Sequence, residues 1–317
     1  MSGYSMERGT PSGHRRCHGL SSTFPPVRRR HRLAGIKRSG RRVEDAGDAK
    51  RLSGRAVLIR RGGRMPHTPR VDVVQEGAVA ILLIDNPPRN QLTLSMVADL
   101  AREVGRLEKS EETRAVIVTG AGEADFCGGM DMAEWLSLEP KRAQEEITRG
   151  QDAMWALEHL TRPTIAAISG ICRGAGSEIA LACDLRIASE TATISHPDVD
   201  AAWMPVHGGI ARLARIVGRP TALELLLSGK EFRALDALRL GLVDHLVPAG
   251  DALDRAKDLA RVFASKPRAA VRAIKRTLTE GEEKPYRNRF LLEAQYAVQL
   301  LWSEEYRAHA ERSRKRP

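Results

Sequence analysis

The feature that most restricts the fold of this 317-residue chain is an alternation of short apolar runs with amphipathic helical patterns. The runs AVIVTG (115–120) and TIAAIS (164–169) are short and end at Gly or Ser, as buried strands do. Between them, SMVADLAREVGRL (95–107) places its apolar residues on one helical face. Because strands alternate with helices, the sequence predicts an α/β fold.

The same reasoning predicts the remaining elements. Residues 71–84 alternate in polarity and then become apolar, which predicts a strand or hairpin that ends at the breaker NPP (86–88). Beyond Gly209 the pattern is mostly helical, and only LVDHLVP (242–248) predicts a strand. The other predictions are helices at about 141–160 and from 177, strands near 185–188 and 192–195, and a final helix that leads to the basic end RSRKRP.

The net charge of +11 is concentrated in a basic leader. Residues 1–64 contain 17 Lys and Arg and 4 acidic residues, so the other 253 residues have a net charge of −2. Because the leader is poor in apolar residues, we predict that 1–68 form a disordered extension. Three interpretations are open: a nucleic-acid-binding arm, a mitochondrial targeting segment, or an extension upstream of a start at Met65, which we favour. Nucleic acid is therefore not the expected partner.

Hydropathy and cysteine usage indicate the class of protein. No apolar run approaches the roughly 20 residues that a membrane-spanning helix requires, since AVAILLI (78–84) stops at Asp85. The sequence has no secretory signal, and its cysteines show no metal-ligand spacing. We therefore expect a cytoplasmic protein without a bound metal. The cysteines are Cys17, Cys127, Cys172 and Cys183.

One motif suggests a nucleophile. GICRG (170–174) has the layout of a nucleophile elbow with Cys172 in place of Ser. Acidic residues (Asp198 or Asp200) and then histidines (His207 or His245) follow in the expected order. The alternative is that Cys172 is a small buried apolar residue, which is common for a free Cys. Both interpretations, Cys hydrolase and core residue, are open at this point.

Two glycine-rich segments follow predicted strands. They are DFCGGMDMAEWL (125–136) and SGICRGAGSEIALACD (169–184). Each alone could be a simple turn, with Asp131 capping the helix that follows. Together, two such segments can direct backbone N–H groups at one anionic oxygen, an arrangement that stabilises a developing oxyanion.

These segments resemble the enoyl-CoA hydratase/isomerase (crotonase) superfamily over most of 70–280. The resemblance implies a crotonase-like spiral of β-β-α repeats over 69–260. It also implies a C-terminal helical region, 261–317, that packs in a homotrimer or dimer of trimers. The segments that carry it occur in the family's order: AVIVTGAGEADFCGGMDM, ISGICRGAGSEIALACDLRIAS, HPDVDAAWMPVHGGIARLARIVG, LSGKEFRALDALRLGLVDHLVP and SKPRAAVRAIKRTL.

The resemblance also implies a site. The oxyanion donors fall on the amides of Met130 and Ala175, and the two carboxylates that act on water fall on Glu178 and Asp198. No cofactor is implied, because coenzyme A is part of the acyl-CoA substrate. The predicted substrate-binding residues are Gly128, Gly129, Asp131, Gly174 and Gly176, together with Arg89, which departs from the family pattern.

The implied activity is hydration of a 2-enoyl-CoA to a 3-hydroxyacyl-CoA, a lyase reaction of fatty acid metabolism. A double-bond isomerase and a CoA-thioester hydrolase or decarboxylase are the alternatives within the superfamily. Several residues depart from the family pattern: Asp198 replaces a Glu, Ala175 a Gly, and Arg89, Gln91 and His207 replace small or apolar residues. We expect Arg89 to meet a CoA phosphate, and His207 to be either a loop residue or part of the acyl pocket. Trp135 and Trp203 are candidate pocket walls.

Overall fold

The computed structural model describes residues 67–122 and 124–314. A short 3-10 turn, Pro197–Ala201, lies between β7 and α5. The described strands and helices, in chain order, are β1 (Arg70–Glu76), β2 (Val79–Asp85), α1 (Leu94–Lys109), β3 (Ala115–Gly120), α2 (Met132–Trp135), α3 (Pro140–Glu158), β4 (Thr164–Ile168), β5 (Ile171–Arg173), α4 (Ala175–Ala182), β6 (Leu185–Ser189), β7 (Thr193–Ser195), α5 (Gly209–Val217), α6 (Arg219–Ser228), β8 (Phe232–Arg233), α7 (Ala234–Arg239), β9 (His245–Val247), α8 (Ala252–Ala264), α9 (Arg268–Gly281), α10 (Tyr286–Leu301) and α11 (Glu304–Arg314).

A six-stranded sheet in the order β1-β2-β3-β4-β6-β9 forms the centre. Only β1 and β2 pair antiparallel, as a hairpin, and the other neighbours are parallel. Parallel strands are covered on both faces, which explains their continuous apolar runs. Ile117 and Ile165 face α8, where Ala256 packs on them. On the opposite face, Val116 and Ala166 belong to the core that includes residues of α1, α3 and α4.

A second sheet, β5-β7-β8, lies outside the first. After β4 and β6 in the large sheet, the chain enters β5 and β7 of the small sheet before it forms the next helix. Successive turns of the chain therefore repeat a strand, strand, helix unit. The predicted α/β spiral is confirmed.

Backbone hydrogen bonds join the two glycine-rich segments. The Cys127 N–H donates to the Ile171 oxygen over 3.0 Å, and the Arg173 N–H donates to the Cys127 oxygen over 2.9 Å. Helix α4 then packs directly on this junction. A Cβ at Gly176 would lie 2.4 Å from the Cys127 carbonyl oxygen, so only Gly lets the helix approach this closely. The N-terminus of α4 is thereby held beside the loop that follows β3.

The structure corrects the start of one predicted helix and adds two strands. The helix predicted from 177 begins at Ala175, and β5 and β8 were not predicted, because β5 lies inside a glycine-rich segment and β8 has only two residues. The predicted domain boundary at 260 lies within α8. The predicted disordered leader lies outside the described residues, except for its last two. Within the described part of the chain, no helix is long and apolar enough to cross a membrane.

We expect Gly176→Ala to lower the free energy of unfolding by about 1–3 kcal/mol, because the new Cβ meets a backbone oxygen that cannot move freely. The matched control is Gly105→Ala in α1. Gly105 is exposed and has no heavy atom within 4 Å of an added Cβ, so this exchange should raise stability by up to about 1 kcal/mol. Urea unfolding measures both. Equal effects of the two variants would contradict the close packing of α4.

Candidate active site

A cavity of about 240 Å³ opens where the two glycine-rich segments meet the 197–207 segment. Its lining combines exposed cations at the mouth, backbone of the glycine-rich turns, two carboxylates and an apolar wall. The residues that line it are Arg89, Gln91, Gly128, Gly129, Met130, Met132, Arg173, Gly174, Ala175, Glu178, Pro197, Asp198, Ala201, Trp203, Met204, Val206 and His207. The structure thus brings together eight of the ten site residues that the resemblance implied.

Met130 and Ala175 each follow a glycine with positive φ. Gly129 has φ +98° and Gly174 has φ +51°, values that L-residues with side chains rarely adopt. The two turns also touch, since a Cβ on Gly174 would lie 3.9 Å from the Gly129 Cα. Only glycines at these positions allow both turns to reach the same cavity without strain.

The amides of Met130 and Ala175 are available to a ligand. The backbone of Leu92 forms hydrogen bonds with the residues on either side of Met130: its N–H donates to the Gly129 oxygen, and its oxygen accepts from the Asp131 N–H. The Met130 N–H takes no part in these bonds. Ala175 is the first residue of α4, where N–H groups have no intrahelical acceptor. Neither N–H has an acceptor within residues 67–122 and 124–314. Both residues line one cavity.

Glu178 is buried, with 2% of its surface exposed. Its Oε1 accepts from the backbone N–H groups of His207 at 2.8 Å and Gly209 at 2.9 Å. Its Oε2 lies 3.5 Å from the His207 Nδ1. Burial by itself raises the pKa of Glu178, but the His207 ring and the two amide donors outweigh it and hold the pKa below its usual value. Glu178 is therefore ionised at neutral pH.

Asp198 lies in the 3-10 turn, with its carboxylate near Gly174. Its Oδ2 is buried and has no hydrogen-bond partner among the described residues. Burial raises the pKa of Asp198, and the negative charge of Glu178 adds to the rise, while Arg173 and His207 oppose it. The two carboxyl groups of the cavity are thus shifted in opposite directions, Glu178 toward the ionised form and Asp198 toward the acid.

An aromatic group closes one side of the cavity. Trp203 and His207 line it, and the Trp135 ring lies behind them, with centroids 6.2 Å from Trp203 and 6.4 Å from His207. Trp203 keeps 38% of its surface exposed, whereas Trp135 and His207 are buried. Of the two tryptophans expected as pocket walls, Trp203 therefore forms the wall and Trp135 supports it.

Arg173 was not expected from the sequence. It ends β5 one residue before Gly174, and with Arg89 it places exposed positive charge at the cavity. The sequence did contain a signal for it. A charged residue at the end of a strand, directly before a glycine turn, is expected to point away from the core, and Arg173 holds this position in CRG (172–174).

Two implied binding residues lie outside the lining. Asp131 instead caps α2, because its Oδ1 accepts from the Ala133 N–H over 3.0 Å. Gly176 packs against Cys127, as described above. Their places in the motif reflect local structure rather than contact with the cavity.

The Cys hydrolase interpretation is wrong for Cys172. The side chain is fully buried, and burial raises its pKa well above the usual range. Because a thiolate that solvent can reach is the reactive species, this thiol is a core residue. The described residues also contain no group of three or more His, Cys, Asp or Glu side chains that could hold a metal ion.

Comparison with known proteins extends these observations. The family model for enoyl-CoA hydratase/isomerase matches residues 74–314, a range that includes the whole cavity lining. The short-chain-enoyl-CoA hydratase of Clostridium acetobutylicum is 35% identical over 208 residues, which are 65% of this chain and 80% of that protein. A crystal structure of an enoyl-CoA hydratase from Bacillus anthracis has a TM-score of 0.72 at 30% identity and covers 76% of this chain and 96% of its own. The structure of Pseudomonas aeruginosa DspI has a TM-score of 0.74 at 29% identity, and the match covers 81% of this chain and 99% of that one.

The opposite pKa shifts predict opposite effects of two amide substitutions on stability. The raised pKa of Asp198 makes the folded state bind more protons than the unfolded state, so ionisation costs stability as pH rises above about 3.9. Asp198→Asn should therefore gain stability over wild type as pH increases through that window. The lowered pKa of Glu178 contributes stability above about 4.3 that is lost as pH falls through the folded pKa. Glu178→Gln should therefore lose stability relative to wild type at neutral pH.

Thermal unfolding of wild type and both variants, followed from acidic to neutral pH, measures these differences. A difference from wild type that does not change with pH, for either variant, would contradict the direction assigned to that carboxyl group.

Proposed function

Because the chain belongs to the enoyl-CoA hydratase/isomerase family, we propose that it adds water to a 2-enoyl-CoA and forms a 3-hydroxyacyl-CoA. The observation that supports hydration is the pair of carboxyl groups with opposite pKa shifts in one cavity, Glu178 below and Asp198 above their usual values. Hydration requires a base for the water and an acid for the α-carbon. When the surroundings of two carboxyl groups shift their pKa values apart, the group with the lowered pKa can act as the base and the group with the raised pKa as the acid.

The thioester oxygen would accept hydrogen bonds from the N–H groups of Met130 and Ala175. As the hydroxyl adds, negative charge develops on this oxygen, and preorganised donors stabilise that charge more than the neutral carbonyl. Ala175 also begins α4, whose N-terminal dipole favours negative charge. The binding of the reacting group thus depends on main-chain atoms.

The carboxyl groups would move the protons. Ionised Glu178 accepts a proton from water through its free Oε2 while the water oxygen bonds to C3 and the C2=C3 electrons shift toward the thioester. The acid form of Asp198 then donates its proton to C2 and restores the thioester carbonyl. Transfer of the proton from Glu178 to Asp198 regenerates both groups, and the net change is the addition of one water molecule.

The substrate would enter past the exposed arginines. Arg89 and Arg173 place positive charge at the mouth, which suits the phosphates of coenzyme A. The acyl group would lie against Trp203 and Met204, since these are the large apolar residues of the lining. Coenzyme A enters as part of the substrate, and the reaction as written uses no separate cofactor.

We also propose that the C-terminal helices mediate a homotrimer, alone or as a dimer of trimers. Leu278 in α9 and Leu291 in α10 are each 69% exposed, and Trp302 between α10 and α11 is 71% exposed. Large apolar side chains that remain exposed on a single chain are candidates for subunit contacts. For location we propose the cytoplasm, in accord with the free thiols of Cys127, Cys172 and Cys183.

Substitution of either carboxylate should slow hydration. We expect Glu178→Gln and Asp198→Asn each to lower kcat by about a hundred- to ten-thousandfold, because each removes one proton-transfer group. Asp200→Asn, on the same turn but outside the cavity lining, is the matched control and should retain activity. The assay follows loss of the conjugated enoyl-thioester absorbance across a panel of acyl-CoA esters, with identification of the products. Unchanged rates in both cavity variants would contradict the two-carboxylate mechanism, and turnover of 3-enoyl-CoA alone would identify an isomerase.

Loss of one amide donor should have a comparable effect. Proline is well accepted at the first position of a helix, so Ala175→Pro removes the N–H with little change in the backbone of α4. We expect kcat to fall about a hundred- to a thousandfold. Ala175→Gly keeps the N–H and should stay close to wild type. A folded Ala175→Pro variant with normal kcat would contradict the role of this amide.

A further inference from the structure

His207 is a buried histidine that the proposed reaction leaves without a role. Only 1% of its surface is exposed. Its backbone N–H binds Glu178 Oε1 at 2.8 Å, and its ring lies against the same carboxylate. The sequence marked this position because a small or apolar residue is usual there. A buried polar ring in place of a small residue requires both space and a partner.

Gly150 in α3 provides the space. A Cβ at this position would lie 2.3 Å from both Cδ2 and Nε2 of the His207 ring. Glycine is a poor helix former, and Gly150 lies well inside a 19-residue helix. The gap in α3 is therefore filled by the imidazole, which fixes the orientation of the ring with its Nε2 edge toward the helix.

The His207 ring lies beside the Glu178 carboxylate. Within the described part of the chain, neither Nδ1 nor Nε2 of His207 meets the criteria for a hydrogen bond. Nδ1 lies 3.5 Å from Glu178 Oε2, a distance at which the interaction is chiefly electrostatic. Because Oε1 already accepts two backbone N–H groups, Oε2 is the oxygen left for chemistry. The imidazole therefore faces the one carboxylate oxygen that can accept a proton.

We propose, on the basis of the hydratase function above, that His207 is a positioning residue for Glu178 and that its Nδ1–H holds Oε2 in the geometry for proton transfer from water. Donation from Nδ1 is the arrangement that the geometry allows, because Nδ1 is the ring nitrogen that faces Oε2, whereas Nε2 lies against the backbone of α3. His207 acts through Glu178 and not on the substrate.

The segment around His207 is held independently of its ring. Arg212 in α5 donates from Nη1 to the His207 carbonyl oxygen over 2.9 Å, and its guanidinium is paired with Glu158 of α3. Exchange of the side chain at 207 should therefore leave the backbone N–H that binds Oε1 in place. Its effects can then be assigned to the ring.

Other charged groups near the pair are accounted for. His196 has its Nε2 3.0 Å from the Ser177 hydroxyl, and burial lowers its pKa, so it stays neutral. Glu146, one turn before Gly150 in α3, is paired with two arginines. The titratable and charged groups beside Glu178 and His207 are Asp198 and Arg173 at the cavity, His196 before the 3-10 turn, and Arg212 in α5, which is itself paired with Glu158 of α3.

Two variants of similar shape test the proposal. In His207→Asn, the side-chain amide can present an N–H near the position of Nδ1, whereas His207→Leu has the same branching but no donor. We expect the Leu variant to lower kcat about ten- to a hundredfold with little change in KM, as for a displaced catalytic group. The acid limb of its pH profile should move to higher pH, because Glu178 loses a group that favours its ionised form. The Asn variant should remain within a few fold of wild type.

A readout that does not depend on turnover accompanies the kinetics. Infrared difference spectra over pH, with the carboxyl band assigned by its loss in Glu178→Gln, report the titration of Glu178 directly. It should titrate at higher pH in His207→Leu than in wild type. Equal kinetic losses in the Asn and Leu variants, or an unchanged infrared titration in His207→Leu, would overturn the positioning role. Full activity of Glu178→Gln would instead overturn the hydratase mechanism, while the infrared result on His207 would still stand.

Discussion

The pairing of Cys127 with Ile171 and Arg173 is the interaction on which the rest of the site depends. It joins the loop after β3 to β5 and so connects a segment that leaves the large sheet with one that belongs to the small sheet. With this pairing in place, the turns at Gly129 and Gly174 meet, and the N-terminus of α4 lies at the same cavity. Without it, the amides of Met130 and Ala175 would belong to separate surfaces.

A second constraint is the burial of a negative charge on Glu178. A buried carboxylate is unfavourable unless donors replace its lost hydration. Here the donors come from the backbone at His207 and Gly209, which begins α5. A Cβ at Gly209 would lie 2.7 Å from Glu178 Cγ, so the glycine is needed for this approach. The chain that follows the 3-10 turn thus supplies the donors that stabilise the charge, and the turn and this chain together place Asp198 and His207 at the cavity.

Much of this arrangement could be predicted from the sequence, for physical reasons. Alternating apolar runs and helical patterns were sufficient for the α/β fold, and the two glycine-rich segments marked the turns that present Met130 and Ala175. Asp131 and Gly176 lie outside the cavity lining, because motif position does not distinguish a residue that faces the cavity from one that caps or packs a neighbouring helix. The gap at Gly150 could not be predicted, since it lies 57 positions before His207 and only the folded chain brings them together.

The donors at 130 and 175 are main-chain atoms, and this has a consequence for how such a chain can change over time. Every residue except proline carries a backbone N–H, so most mutations at either place keep the donor that would polarise the thioester under the proposed function. What selection must preserve is the pair of preceding glycines and the contact between their turns. Trp203 and Met204 in the cavity wall carry no such restriction, and under the proposed function new acyl preferences can arise there while the reaction centre persists.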